Sequence, residues 1–108
     1  MIEGLWIVQY EGLQGNGAGV AVFVNGRVLG GDFGYTYEGS YKIQSNQLSA
    51  LVHVANFLPS IPSVLGFVGD FDVQVHAPVT EGIIRATMAV VGNPGMSIAV
   101  KLTKKADI

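Results

Sequence analysis

"AGVAVFVNGRVLGGDFGYTYEGSY", residues 18–41, decides the fold. Asn25-Gly26 sits between two β-rich flanks, and both residues reach positive φ readily, which suits a two-residue type I′ hairpin. That turn predicts strands over 18–24 and 27–31. Gly30-Gly31 then breaks the alternation and predicts a bend or bulge where a strongly twisted strand must curve. Asp32 is placed to accept backbone N–H bonds at the tight connection that follows, an Asx-type role. Beyond it, Tyr35, Tyr37 and Tyr41 share one strand face.

Working outward, the same two-residue period recurs, and no stretch holds a 3.6-residue period for three turns. Further strands are predicted over 5–10, 35–43, 48–56, 71–76, 83–91 and 97–102. Ser45-Asn46 supplies one turn, and Pro94-Gly95 fits the centre of a type II turn. Short links imply antiparallel neighbours. Eight strands in an even meander bring the first and last together, so the expected fold is an all-β, eight-stranded antiparallel up-and-down barrel. A sandwich with one long crossover is the alternative. The long link from Leu58 to Gly69 carries Ser60 and Pro62, which predict one short helical turn near residues 60–66. The tail after Leu102, TKKADI, is polar and is expected to fray.

The chain has 108 residues, enough for one domain with one core. It is 49% hydrophobic and 13% charged, about half the charge of an average soluble chain, which points to self-association or an apolar pocket. No apolar run approaches the roughly 20 residues of a membrane helix, and MIEGLWIVQY lacks a basic leader, so a cytoplasmic address is expected. With no cysteine, disulfides, thiolate metal sites and thiol nucleophiles are excluded. A net charge of −2 with six scattered Lys and Arg supplies no basic stripe for phosphate, so direct nucleic-acid binding is not expected.

Candidate chemistry is sparse. "GLQGNGAGV", residues 12–20, lacks phosphate-loop spacing and leads into a strand rather than a helix, so it is expected to be a mobile connection. His53 and His76 fall on outward strand positions, without an obvious acidic orienter or further ligands, and no metal site, cofactor or serine triad is expected. Asp70 and Asp72 share a strand face with Gln74 and His76, a solvated setting unlike a glycosidase cleft, and Glu81 lies in a turn. No catalytic residue is assigned. The aromatic set Trp6, Tyr10, Tyr35, Tyr37 and Tyr41 is either core packing or the lining of a ligand pocket or dimer face. An eight-stranded barrel is just wide enough for either. If Gly19, Ala21, Ala86, Ala89 and Ala99 point inward, they leave space for a fatty acid or another small apolar ligand.

Two resemblances accompany these readings. Gly4-Leu5-Trp6 resembles the GxW opening of lipocalins, where the Trp packs across the closed end of the barrel. The run Asn25-Gly26, Gly30-Gly31-Asp32, Tyr37-Glu38-Gly39, His53-Val54 and Ile61-Pro62-Ser63-Val64 is similar, in order and spacing, to the GrlR-like family of small regulators, first recognised as repressors of type III secretion genes. The resemblance implies a lipocalin-like barrel, usually a homodimer, that acts as a negative regulator by binding a protein partner such as a transcriptional activator. The founding repressor holds its activator through an acidic Glu-Asp-Glu-Asp loop. The corresponding turn here, Gln44-Ser45-Asn46-Gln47, has no acid, so the resemblance carries the fold without naming the partner.

Overall fold

The computed structural model describes residues 2–12, 15–63 and 69–108. Eight strands follow one another: β1 (Gly4–Gly12), β2 (Gly15–Val24), β3 (Arg27–Gly31), β4 (Tyr35–Gln44), β5 (Gln47–Asn56), β6 (Phe71–Pro78), β7 (Ile83–Val90) and β8 (Asn93–Asp107). Each pairs antiparallel with its neighbour in sequence, and β8 closes on β1, so the sheet is a complete up-and-down barrel without a free edge. The sandwich alternative is thereby excluded.

Asn25 and Gly26 have φ of 49° and 77°, the positive pair that a type I′ hairpin requires. Ser45 and Asn46, at 52° and 60°, build a second such turn between β4 and β5. The turn expected at Pro94-Gly95 lies three residues earlier. Val91-Gly92 makes the link, Gly92 adopting φ 85°, while Pro94 and Gly95 belong to β8. Pro94 sits near the start of its strand, where a missing N–H is tolerated.

The tail is ordered strand rather than frayed chain. β8 continues to Asp107, which pairs with Gly4, because the barrel can close only if the last strand spans the first. Lys104 Nζ reaches Asp107 at 2.5 Å and also lies 5.8 Å from the Trp6 ring centroid. Residues 59–60 form a turn, with the Ile61 N–H donating to the Leu58 carbonyl at 2.9 Å, and residues 61–63 follow without regular secondary structure. No helix is found there, and residues 64–66 lie outside the described residues. The glycine-rich segment from Gly15 onward is strand β2, not a connection; Leu13 and Gln14 lie outside the described residues.

Alternate residues point inward. Trp6, Val8, Ala21, Phe23, Val28, Leu48, Val73 and Ile84 are among the buried core, and each aliphatic or aromatic side chain taken fully from water contributes about 1.5–3 kcal/mol. Trp6, packed edge-on to Phe23 with centroids 6.2 Å apart, lies near the end of the barrel that carries the Asn25-Gly26 turn, called the lower end. Its Nε1 donates to the Ile2 carbonyl at 2.8 Å, so the indole is buried without losing a hydrogen bond.

No bulge forms at Gly30-Gly31; β3 runs in unbroken register with both neighbours. Register shifts lie instead at Leu5/Trp6 and Ala89/Val90. The reason for Gly30 is close approach: a Cβ there would overlap the Val20 carbonyl oxygen of β2. Gly39 is constrained in the same way by the Leu51 carbonyl of β5. The sheet coils tightly at these two points, and only a missing side chain allows it. We expect Gly30→Ala and Gly39→Ala each to cost about 2–4 kcal/mol in urea unfolding, as overpacking against immovable backbone does. Gly95→Ala, whose Cβ would meet nothing closer than Asn93 Oδ1 at 3.8 Å, should change stability by less than about 0.5 kcal/mol.

Candidate functional site

The upper end of the barrel gathers the only part of the GGD stretch that carries charge. After β3, Asp32 turns the chain into β4. Its Oδ1 accepts the N–H groups of Gly34 and Tyr35, both at 2.9 Å, and its own N–H donates to the Tyr35 carbonyl at 2.9 Å. This is the Asx geometry that a short polar side chain offers a tight turn. The second carboxylate oxygen does something the sequence did not disclose. Asp32 Oδ2 accepts the hydroxyls of Tyr10, from β1, and of Tyr37, from β4 at 2.5 Å; the two hydroxyl oxygens are 3.2 Å apart.

Two glycines make room for this cluster. A Cβ at Gly17 would lie 2.5 Å from Tyr10 Cε2, and one at Gly19 would lie 2.8 Å from the Tyr37 hydroxyl. The glycine-rich segment expected as a mobile connection is, from Gly15 onward, a strand face kept bare so that tyrosine side chains can cross it. The signal was present as glycines at every second position, Gly15, Gly17 and Gly19, a strand period rather than a loop motif.

Below the cluster the barrel holds a cavity of about 110 Å³ that is partly open to the outside. Its wall is almost entirely apolar, with Val8, Ala50, Val52, Val73 and Val100 among the lining, and Tyr10, Asp32 and Tyr37 at its polar end. A shallower depression outside shares Tyr10, Asp32, Tyr35 and Ser63 with the cavity, so these side chains stand between interior and exterior. Of the small residues weighed for inward space, Ala21 and Ala86 are buried and Gly19 faces the cluster. Ala99 is exposed, and Ala89 alternates with the inward Met88, so neither adds interior room.

The aromatic residues divide. Tyr10, Tyr35 and Tyr37 surround the upper end, with Tyr35 donating to the Ile61 carbonyl at 2.9 Å. Trp6 and Tyr41 belong to the lower end, where Tyr41 packs edge-on to Phe23 at 5.2 Å. Asn25, Gly26 and Gly39 shape turns and strand crossings away from the cluster, whereas Gly30 lies opposite Tyr37 in the β3–β4 pair and Gly31 precedes Asp32 directly.

Burial holds the phenols of Tyr10, Tyr35 and Tyr37 above their ordinary pKa. For Tyr10 and Tyr37 the hydrogen bond to the Asp32 carboxylate adds to this, because a second negative charge beside the first is disfavoured. The cluster thus keeps its protons on the tyrosines at neutral pH.

His53 and the two strand carboxylates form a separate group. His53 Nδ1 lies 2.6 Å from Asp72 Oδ1, and Nε2 lies 3.6 Å from Asp70 Oδ2. The expectation that neither histidine has an acidic orienter is corrected for His53: register places it directly opposite Asp72 across the β5–β6 pair, a pairing that sequence spacing alone does not reveal. The hydrogen bond to Asp72 raises its pKa. All three side chains are about half exposed on the outer face, and none lines the cavity. His76 is exposed, opposite Ser49 and Thr87. Among the described residues no group of three or more His, Asp or Glu converges to hold a metal ion.

No protein-family model matches the chain, and no curated protein sequence matches it.

Because the folded pKa of these phenols lies above the unfolded value of about 10, the native state keeps protons that the unfolded chain releases. Their contribution is complete below pH 10 and is lost as pH rises from there towards the folded values. Urea unfolding followed from pH 9 to 11.5 should show stability falling by about 1 kcal/mol per pH unit for each such tyrosine. Replacing Tyr10 and Tyr37 together with Phe should flatten that slope.

Proposed function

We propose that the chain is a non-catalytic interaction protein, a cytoplasmic regulator of the GrlR-like kind, which works as a homodimer and binds a protein partner such as a transcriptional regulator. The observation that carries this reading is the outer surface of β1, β2 and β3. Leu5 and Ile7 point outward from β1, opposite Val22 and Val20 of β2, and Val22 in turn lies opposite Leu29 of β3. These five apolar side chains form one contiguous face, with Val20 44% exposed. Contiguous apolar surface on a folded chain marks a protein contact far more often than a solvated wall.

The remaining outer faces differ. Glu38 and Lys42 on β4, His53 on β5, Asp72 and Gln74 on β6 and Arg85 on β7 alternate with the buried core, the pattern of a barrel facing water rather than lipid. Among the described residues no helix is long and apolar enough to cross a membrane. The outer faces of β4–β7 mix these polar groups with exposed Ile43, Leu51 and Ile83, whereas the five apolar side chains on β1–β3 adjoin one another across paired strands, which supports one defined contact. The resemblance of the Asn25–His53 run to the regulator family supports a transcription factor as the partner class, held through a surface other than the acid-free turn at Ser45-Asn46.

Light scattering coupled to size exclusion should return a dimer mass, and Val22→Glu or Val20→Glu should convert it to a folded monomer with unchanged circular dichroism. A monomer at all concentrations up to the millimolar range contradicts the dimer. For the partner, a DNA-binding regulator captured from the source cells should rebind the purified protein with a measurable Kd; its failure to rebind counts against the regulatory reading.

A further inference from the structure

The barrel interior carries a second site, independent of the outer face. We propose that it binds a compact hydrocarbon of roughly benzene size bearing a single hydrogen-bond donor, an alcohol or phenol hydroxyl, which is read by the Tyr10–Asp32–Tyr37 cluster.

Size comes first. Pockets for drug-sized ligands run from about 300 to 1,000 Å³, and an apolar cavity of about 150 Å³ accommodates benzene. At about 110 Å³, the interior is too small for the hydrocarbon chain of a fatty acid and fits a single small ring whose polar head sits among the tyrosines. The apolar wall offers a water molecule no partners over most of its area, so an apolar body is favoured there over water.

Polarity then selects the head group. A carboxylate has about four acceptor sites, and all four of those on Asp32 are taken, by Gly34, Tyr35, Tyr10 and Tyr37. Each tyrosine hydroxyl has one proton, committed to Asp32, and keeps acceptor capacity on its oxygen. The cluster therefore presents acceptors and no donors to the cavity. A ligand carboxylate meets an unneutralised Asp32, since none of the ion pairs among the described residues involves it. An anion is disfavoured by charge and by the lack of a free donor within the cluster.

Positioning makes the selection exacting. Asp32 is fixed at both oxygens, and Gly17 and Gly19 let the two phenol rings reach it across β2. Hydrogen-bonding sites of this kind discriminate strongly against the analogue that lacks the matching group.

The test uses phenol, benzene and benzoate as probes of the intact protein, followed by amide chemical shifts and calorimetry. Phenol should bind saturably, about tenfold or more tighter than benzene, and benzoate should not bind. Asp32→Ala, Tyr10→Phe and Tyr37→Phe combined, which removes every acceptor of the cluster, should bring phenol down to the affinity of benzene. Ala50→Leu, which fills the cavity, should abolish both; Val73→Leu serves the same purpose if Ala50→Leu does not fold. Equal affinity for phenol and benzene, benzoate binding, phenol binding that survives a filled cavity, or no saturable binding of phenol would each overturn the proposal.

Discussion

One carboxylate with four donors organises the upper half of this barrel. Asp32 joins its own β3–β4 turn and Tyr37 of β4, both close in sequence, to Tyr10 of β1, 22 residues earlier. A charge at this depth is costly unless its acceptor sites are filled, and here each is filled. The same bonds consume both tyrosine protons. From that follow the elevated phenol pKa values, the acceptor-only character of the cavity's polar end and the bare glycine face on β2 across which the rings must lie.

The lower half depends on different physics. Trp6, Phe23 and Tyr41 pack edge to face, and the indole N–H is satisfied locally by the Ile2 carbonyl. Apolar burial holds that end, and the closing strand pair between β1 and β8 runs past it to Asp107. An apolar plug below and a hydrogen-bonded cluster above leave the cavity between them. The outer surface divides laterally as well, with adjoining apolar side chains on β1 to β3 and a mixed polar and apolar face on β4 to β7.

Much of the fold was legible because its signals are local. Asn25-Gly26 fixes a hairpin, alternation fixes which residues face inward, and an even strand count permits closure. What was not legible depends on contacts between strands. The order of TKKADI comes from pairing with β1, not from its own polar composition. The need for Gly30 is a β2 carbonyl, invisible in the Gly-Gly pair itself. His53 lacks an acidic neighbour in sequence yet faces Asp72 across one register position. Asp32 shows both cases in one side chain: its Oδ1 turn was predictable from the Gly-Gly-Asp context, whereas its Oδ2 partners come from residues 22 positions before and five after. Tyr10 and Tyr37 were recognised as candidate pocket residues from their strand parity, without the carboxylate that unites them.

Amide hydrogen exchange on Asp32→Ala measures that union most directly. If Asp32 organises the upper end, the Gly34 and Tyr35 amides should exchange at least about tenfold faster than in the parent protein, while lower-end strand amides such as that of Phe23 keep their protection. Unchanged protection at Gly34 and Tyr35, or a loss spread evenly over both ends of the barrel, would contradict the account.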